Sequence, residues 1–151
     1  MENQAAKRPT VLVVEPDPLM LTAMAAVLDS AGLRCTLART HEVALAAAKS
    51  SHFDLLVVSI DDDILPAAAA TSKLRAAGPG GPVPVLFIAP RLDPSWIEPL
   101  NAAGGVYCLT RPFEPAKLIE LAEQATALEH VSVSRLAPPK AHFAKEWVRL
   151  S

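Results

Sequence analysis

Residues 11–18 read Val-Leu-Val-Val-Glu-Pro-Asp-Pro, and this stretch indicates the class of fold. The continuous apolar run at 11–14 predicts a β-strand that is covered on both faces. Asp17 is a suitable N-cap for a helix, and Pro18 fits the first helical position because the N–H it lacks would have no partner there. We therefore expect a buried strand that leads directly into a helix.

The same strand-then-helix unit recurs along the chain. Further strands are predicted at 35–38, 55–58, 83–89 and 106–110. Helices are predicted from Pro18 to a stop at Gly32, from the cap Thr40 to about Ser50, over 67–77, from Asp93 and from Glu114, with Pro99 shortening or kinking the fourth. Repeated units of this kind predict an α/β fold. The expected form is a doubly wound, five-stranded parallel sheet of flavodoxin-like type with strand order 2-1-3-4-5 and five helices.

The two ends of the chain fall outside this repeat. We expect residues 10–130 to form the domain, residues 1–9 an N-terminal tail and residues 131–151 a C-terminal tail. Within the C-terminal tail, Phe143, Trp147 and Leu150 recur at i, i+4 and i+7, which predicts a short amphipathic helix. Such a helix either docks on its own domain or serves as a partner-binding or dimer-forming segment.

Composition argues against several classes of partner. The net charge is −2, from 14 basic and 16 acidic residues, and no basic run is present, so we expect no nucleic-acid partner. The apolar runs are far shorter than the roughly 20 residues of a membrane helix. Residues 1–10 lack the apolar core of a secretory signal. Cys35 and Cys108 lie in apolar runs and are expected to be buried, reduced thiols. These features predict a cytoplasmic protein.

Polar residues follow the predicted strands where the strands end. Because the carboxyl ends of parallel strands meet at one edge of a sheet, these residues should line a common cleft. The cleft should hold Glu15, Pro16, Asp17, Ser59, Asp61, Asp62, Asp63, Ala89 and Arg111. The set contains no nucleophile–base pair, and the four histidines show no metal-ligand spacing. We therefore expect neither an enzyme nor a metal site, and no cofactor.

Three motifs in order resemble bacterial response-regulator receiver domains of the chemotaxis-regulator type. They are residues 11–18, the stretch Phe-Asp-Leu-Leu-Val-Val-Ser at 53–59, and the stretch Gly-Gly-Val-Tyr-Cys-Leu-Thr-Arg-Pro-Phe at 104–113. Their spacing fits the family without gaps, with 30 residues from Ser59 to Ala89 and 22 from Ala89 to Arg111. The resemblance covers about residues 10–130 and implies a module of two-component or phosphorelay signal transduction.

The resemblance also implies a mechanism whose functional groups are mostly replaced here. In the family, paired carboxylates after the first strand hold Mg²⁺, an aspartate ending the third strand accepts the phosphoryl group, and a Ser or Thr and a Lys contact it. Glu15 retains the first carboxylate, but Pro16 replaces the second. Ser59 replaces the acceptor, Ala89 the hydroxyl residue, and Arg111 the lysine. These changes predict an atypical receiver, or pseudo-receiver, that acts by phosphorylation-independent protein–protein interaction.

Two alternatives remain open for the acidic loop. Asp62, or a neighbouring aspartate, could be a working phosphoacceptor with Mg²⁺, because Asp-Asp-Ile-Leu-Pro at 62–66 resembles the family's Asp-x-x-Met-Pro loop. That alignment needs a three-residue insertion and a compensating deletion. The loop together with Glu15 could also bind a cation. A further hypothesis pairs Arg111 with Glu15 in a salt bridge across the pocket. An enzyme or ligand binder that borrows the fold is a third class.

The resemblance implies a surface for partners. In the family, the face formed by the fourth helix, fifth strand and fifth helix often binds partners or forms dimers. Here it would include Trp96, Ile97, Leu100 and Tyr107. An exposed Trp is a typical interface anchor, although Trp96 could instead cover the sheet. The expected partners are signalling proteins, or a second copy bound through this face or the C-terminal tail.

Overall fold

The computed structural model describes residues 8–79, 82–127, 142–143 and 147–150, with only the backbone of 142–143. The strands are β1 (Thr10–Val14), β2 (Arg34–Ala38), β3 (Leu55–Ser59), β4 (Val85–Ala89), β5 (Gly105–Thr110), β6 (His142–Phe143) and β7 (Trp147–Arg149). The helices are α1 (Pro18–Ser30), α2 (His41–Ser50), α3 (Ile64–Ala77), α4 (Ile97–Ala102) and α5 (Pro115–Ala127). A 3₁₀ turn, Pro94–Trp96, precedes α4.

One sheet with the order β2-β1-β3-β4-β5-β7-β6 organises the molecule. The first five strands pair in parallel, and this confirms the predicted α/β fold with strand order 2-1-3-4-5. β7 then pairs antiparallel with β5, and β6 pairs antiparallel with β7. The carboxyl ends of β1, β3, β4 and β5 consequently meet at one edge of the sheet.

The core lies in two apolar layers, one on each face of the sheet. Every residue of β3 and β4 is buried, because successive side chains enter opposite layers and both layers are covered by helices. One layer contains side chains of α1 and α5, among them Met24, Leu28, Leu118 and Leu121. The other contains side chains of α2, α3 and α4, among them Ala44, Ala48, Leu74 and Leu100. This two-sided burial explains the continuous apolar runs in the sequence.

Both predicted helix caps are present, and a proline lies in the first turn of each of two further helices. The side chain of Asp17 accepts a hydrogen bond from the Leu19 N–H (3.1 Å), and Thr40 accepts one from the Val43 N–H (3.1 Å). α3 begins at Ile64, three residues before the predicted start, because Pro66 lies in its first turn and needs no hydrogen-bond partner there. Pro99 likewise lies in the first turn of α4, which is only six residues long.

The helix predicted over Phe143, Trp147 and Leu150 is wrong, because Trp147–Arg149 forms β7 and His142–Phe143 forms β6. The stretch Trp-Val-Arg-Leu at 147–150 also has the two-residue period of a strand, with Val148 and Leu150 on one side. The edge of β5 offers unpaired N–H and C=O groups that a strand can satisfy and a helix cannot. The sheet therefore continues into the segment that was expected to be a separate tail.

The two cysteines are free thiols. Cys108 is buried as predicted, and burial raises its pKa to about 12. Cys35 is only half-buried, and burial followed by the nearby charge of Asp29 raises its pKa to about 11. Both thiols stay protonated at neutral pH and are therefore poor nucleophiles. Among the described helices, none has the length and apolar character that crossing a membrane requires.

Gly105 is the position where β5 leaves no room for a side chain. A Cβ atom there would lie 2.6 Å from Cδ1 of Leu150 and 2.7 Å from Cε2 of Phe87. It would also lie 2.8 Å from the carbonyl oxygen of Leu100, which is backbone and cannot rotate away. Gly105 thus fixes the close packing of β5 against its neighbours.

We expect Gly105→Ala to lower the free energy of unfolding by about 1–3 kcal/mol, the usual cost of overpacking a core. The measurement is urea denaturation followed by circular dichroism. Gly78→Ala is the matched control, since its Cβ would lie 3.4 Å from the Ala48 oxygen, an ordinary contact. Equal stability of the two variants would contradict this account of Gly105.

Candidate functional site

A cleft of about 730 Å³ lies at the carboxyl ends of the strands. It is bounded by the loops after β1, β2 and β3, by the first turns of α3, and by Arg111 after β5. Of the residues expected there, the cleft wall includes Glu15, Pro16, Asp17, Ser59, Asp61, Asp63 and Arg111. Ala89 and Asp62 do not line it. Seven of the seventeen residues that line the cleft are therefore among those expected from the sequence.

Ser59 and Glu15 meet at the floor of the cleft. Ser59 is the last residue of β3, and its hydroxyl donates a hydrogen bond to Oε1 of Glu15. The backbone N–H of Asp17 donates to Oε2 of the same carboxyl group at 2.9 Å. Glu15 is 5% exposed and Ser59 is 8% exposed. Because a buried carboxyl group needs hydrogen-bond donors, these two contacts stabilise Glu15 in its buried position.

Arg111 does not form the predicted salt bridge with Glu15. Its Nη2 instead donates to the carbonyl oxygen of Ile60 at 3.0 Å, directly after β3. Both oxygens of Glu15 already accept hydrogen bonds. The carbonyl oxygen of Ile60 accepts from Arg111, and the positive charge of the guanidinium group strengthens this hydrogen bond. Arg111 precedes Pro112 through a cis peptide bond. The guanidinium group thus joins the end of β5 to the end of β3.

The three aspartates after β3 point in different directions. Asp61 accepts a hydrogen bond from the backbone N–H of Asp63 at 3.0 Å, which closes a local turn. Asp62 is 71% exposed and lies outside the cleft wall, where its carboxylate is 3.4 Å from Nε of Arg91. Among the described residues, no group of three or more His, Cys, Asp or Glu side chains is placed to hold a metal ion. With Pro16 beside Glu15, the donor set does not fit Mg²⁺.

Arg91 is a residue that the sequence reasoning missed. Besides Asp62, it pairs with Asp93 at 2.9 Å, and its guanidinium lies 4.6 Å from the centre of the Trp96 ring. Hydrogen bonds from Ser95 and then from Arg91 hold the pKa of Asp93 below its ordinary value. Arg91 therefore connects the loop after β3 to the loop after β4. Arg91 lies two residues after the end of β4, and this position among the residues that follow the strands is the sequence feature from which it could have been found.

The wall formed by the loop after β2 was also missed. Nε of Arg39 donates to the carbonyl oxygen of Pro16 at 3.0 Å. His41 lines the same side, and its buried Nδ1 has no hydrogen-bond partner among the residues that the structure describes. Partial burial lowers the pKa of His41, although the nearby charge of Glu42 opposes this shift. The imidazole is therefore neutral at neutral pH.

The structure does not expose the residues predicted for the partner surface. Trp96, Leu100 and Tyr107 are 7%, 1% and 5% exposed, and Ile97 is partly buried. β7 lies beside β5 and covers this part of the face. The expectation of an exposed Trp anchor is therefore wrong, and the alternative in which Trp96 covers the sheet is the observed arrangement.

Comparison with known proteins places this geometry in context. A family model described as the response regulator receiver domain matches residues 11–123. No curated protein matches the chain. Among solved structures, a response regulator from Thermotoga maritima is similar at 21% identity, covering 80% of this chain and 99% of the other, with a TM-score of 0.69. A Vibrio cholerae chemotaxis protein is similar at 20% identity, covering 79% and 99%, with a TM-score of 0.67.

A third similar structure is the receiver domain of a sensor histidine kinase from Pseudomonas aeruginosa PAO1. It is 26% identical, covers 80% of this chain and 99% of the other, and has a TM-score of 0.68. That structure has a magnesium ion coordinated in its active-site cleft. In this chain, the corresponding edge of the sheet carries the hydrogen-bonded pair of Ser59 and Glu15.

The hydrogen bond between Ser59 and Glu15 can be measured by a double-mutant cycle. We expect Ser59→Ala to lower the free energy of unfolding by about 1–3 kcal/mol, because it leaves a buried carboxyl oxygen without its donor. In the Glu15→Gln background the same substitution should cost less, with a coupling energy of about 0.5–3 kcal/mol from urea denaturation at neutral pH. Additive effects of the two substitutions would show that the contact does not stabilise the fold.

Proposed function

The chain belongs to the response regulator receiver domain family, and from this premise we propose that it is an atypical receiver, or pseudo-receiver. Receiver domains are generally non-catalytic signalling modules. In this proposal the chain takes part in two-component or phosphorelay signalling through protein–protein contacts that need no phosphoryl transfer. It is not an enzyme, its partners are signalling proteins, and we expect it to act in the bacterial cytoplasm.

The observation that carries this proposal is the contact between Ser59 and Glu15. In the family, the residue that ends the third strand accepts the phosphoryl group on a carboxylate oxygen. Ser59 is the last residue of β3 and pairs with Ile88 of β4, while the residue before it, Val58, pairs with Val14 of β1. A serine hydroxyl is not ionised at neutral pH and forms no acyl phosphate. Its donation to Glu15 gives it a structural role instead.

The electrostatics of the cleft support the same proposal. A transferred phosphoryl group needs a metal ion and fixed donors to offset its charge. Glu15 has both oxygens engaged, and Pro16 offers no ligand. Ala89 is fully buried and has no hydroxyl group. One Nη of Arg111 donates to the Ile60 carbonyl. A phosphoryl group in this cleft would therefore face Asp61 and Asp63 without a metal.

The second candidate function is a working phosphoacceptor that uses Asp62 or a neighbouring aspartate with Mg²⁺. The high exposure of Asp62 favours it, because a phosphodonor could reach this side chain. Against it, Asp62 faces Arg91 outside the cleft wall, and no second carboxylate stands beside Glu15 at position 16. The pairing of Asp62 with Arg91 is better explained as a link between two loops.

Phosphodonor treatment separates the two candidates. We expect the full chain, incubated with acetyl phosphate and Mg²⁺, to gain no phosphoryl group by intact-mass spectrometry, because Ser59 cannot form an acyl phosphate. A variant that restores the family residues, Pro16→Asp, Ser59→Asp, Ala89→Thr and Arg111→Lys, is the positive control and should be labelled. Labelling of the unaltered chain that is lost in Asp61→Asn, Asp62→Asn, Asp63→Asn would overturn the proposal.

A further inference from the structure

The cleft at the carboxyl end of the sheet is large for the contacts at its floor. Its volume of about 730 Å³ lies within the range of pockets that hold small organic molecules, which is about 300–1,000 Å³. The hydrogen bond between Ser59 and Glu15 accounts for only two of the side chains that line it. The same cleft is also lined by residues at the start of α2 and in the first two turns of α3, namely His41, Glu42, Pro66, Ala67 and Ala70.

The topology of the sheet explains why there is a cleft at this place. β1 lies between β2 and β3 in the sheet. The helix that follows β1, α1, packs in one apolar layer, whereas the helix that follows β3, α3, packs in the other. The loops after the two strands therefore diverge toward opposite faces of the sheet. A crevice between such loops is the place where open α/β sheets bind ligands.

The charged groups of the cleft favour a cation over an anion. Five carboxyl groups and two guanidinium groups line the cleft. Each guanidinium group is held by a backbone carbonyl, because Nε of Arg39 donates to Pro16 and Nη2 of Arg111 donates to Ile60, both at 3.0 Å. The excess of carboxyl groups attracts a positively charged group into the cleft.

The wall of the cleft combines carboxylates with apolar side chains. Asp63 is the N-terminal cap residue of α3, and its side chain makes no capping hydrogen bond, so its oxygens remain available as acceptors. Beside it, the first two turns of α3 contribute Ala67 and Ala70, and α1 contributes Met20. The small alanine side chains leave room in front of the helix. A mostly apolar pocket with a few polar groups is typical of sites for small molecules.

We propose that the cleft binds a small organic cation, whose ammonium, amidinium or guanidinium group contacts Asp63 and whose apolar body packs against Met20, Ala67 and Ala70. Charge-assisted hydrogen bonds to the carboxylate orient the cationic group, and burial of apolar surface adds to the affinity. The inference rests on the proposed function in one respect, that neither a metal ion nor a phosphoryl group fills the cleft. Such a ligand gives a pseudo-receiver an input other than phosphorylation.

Three benzene derivatives of similar shape test the class of ligand. Benzamidine is a cation, benzamide is neutral and benzoate is an anion. Each is titrated into the ¹⁵N-labelled full chain without phosphodonor or Mg²⁺, and binding is followed by two-dimensional NMR of the amide groups. We expect benzamidine to bind at least about tenfold more tightly than the other two, because it alone donates charge-assisted hydrogen bonds to carboxylates. The amide signals that shift should belong to residues that line the cleft, at 14–20, 39–42 and 59–70.

Two pairs of variants locate the site. Ala70→Phe fills the cleft and should weaken benzamidine binding at least about tenfold, because the ring takes the space of the ligand. The matched control, Ala69→Phe, places the same ring at an exposed position of α3 outside the cleft wall and should leave the affinity unchanged. Asp63→Asn should weaken binding by roughly three- to tenfold through loss of a carboxylate. Its control, Asp62→Asn, lies in the same loop but outside the cleft wall and should weaken binding less.

The amide spectra of the variants also show whether each is folded, and the aspartate pair tests the site even if Ala70→Phe does not fold. Absence of signal shifts at roughly ten millimolar benzamidine, equal affinity for the three compounds, or shifts confined to other parts of the chain would refute the cation site. Equal affinities of Asp63→Asn and Asp62→Asn would refute it as well.

The outcome for this site and the outcome for the pseudo-receiver proposal can be told apart. The titrations contain no phosphodonor, so a failure of benzamidine to bind leaves the result with acetyl phosphate unaffected. Labelling of an aspartate by acetyl phosphate would overturn the pseudo-receiver proposal, whereas binding of benzamidine to the unlabelled chain would still establish the site.

Discussion

Burial of the central strands on both faces is the constraint on which the rest of the structure depends. β3 and β4 have no exposed residue, so their side chains are apolar until the strand ends. Polar groups emerge at the ends of these strands, where helices no longer cover the sheet, and the cleft lies at the carboxyl end. Ser59 is the first polar side chain of β3, and it remains 8% exposed. The position of the cleft and the low exposure of its floor both follow from this burial.

A carboxyl group at that floor must be satisfied, and this chain does so with its own donors. Glu15 accepts from the Ser59 hydroxyl and from the Asp17 backbone. Arg111 donates to Ile60, and Arg91 joins Asp62 to Asp93. The contacts of Ser59 with Glu15, of Arg111 with Ile60 and of Arg91 with Asp62 link the ends of different strands or loops, so hydrogen bonds and an ion pair hold this edge of the sheet together.

The open edge of the sheet is the other consequence of a parallel architecture. β5 is the last strand of the parallel sheet, and its edge carries backbone groups that need partners. β7 supplies them, and its side chains also complete the apolar layer that the six-residue helix α4 leaves incomplete. The buried Trp96, Leu100 and Tyr107 owe their low exposure partly to this added strand.

The sequence by itself determined the α/β class, the strand order of the parallel sheet, the caps at Asp17 and Thr40 and the position of Ser59 at the end of the third strand. These features are local: each depends on a run of residues, a spacing or a single identity at a strand end. Only the tertiary structure decided the partner of Arg111, the position of Asp62 outside the cleft, the burial of Trp96 and the strand at 147–149. These depend on which groups compete for the same donor, acceptor or edge. The stretch at 147–150 fits a helical spacing and also the two-residue alternation of a strand, and pairing with the edge of β5 decided between the two.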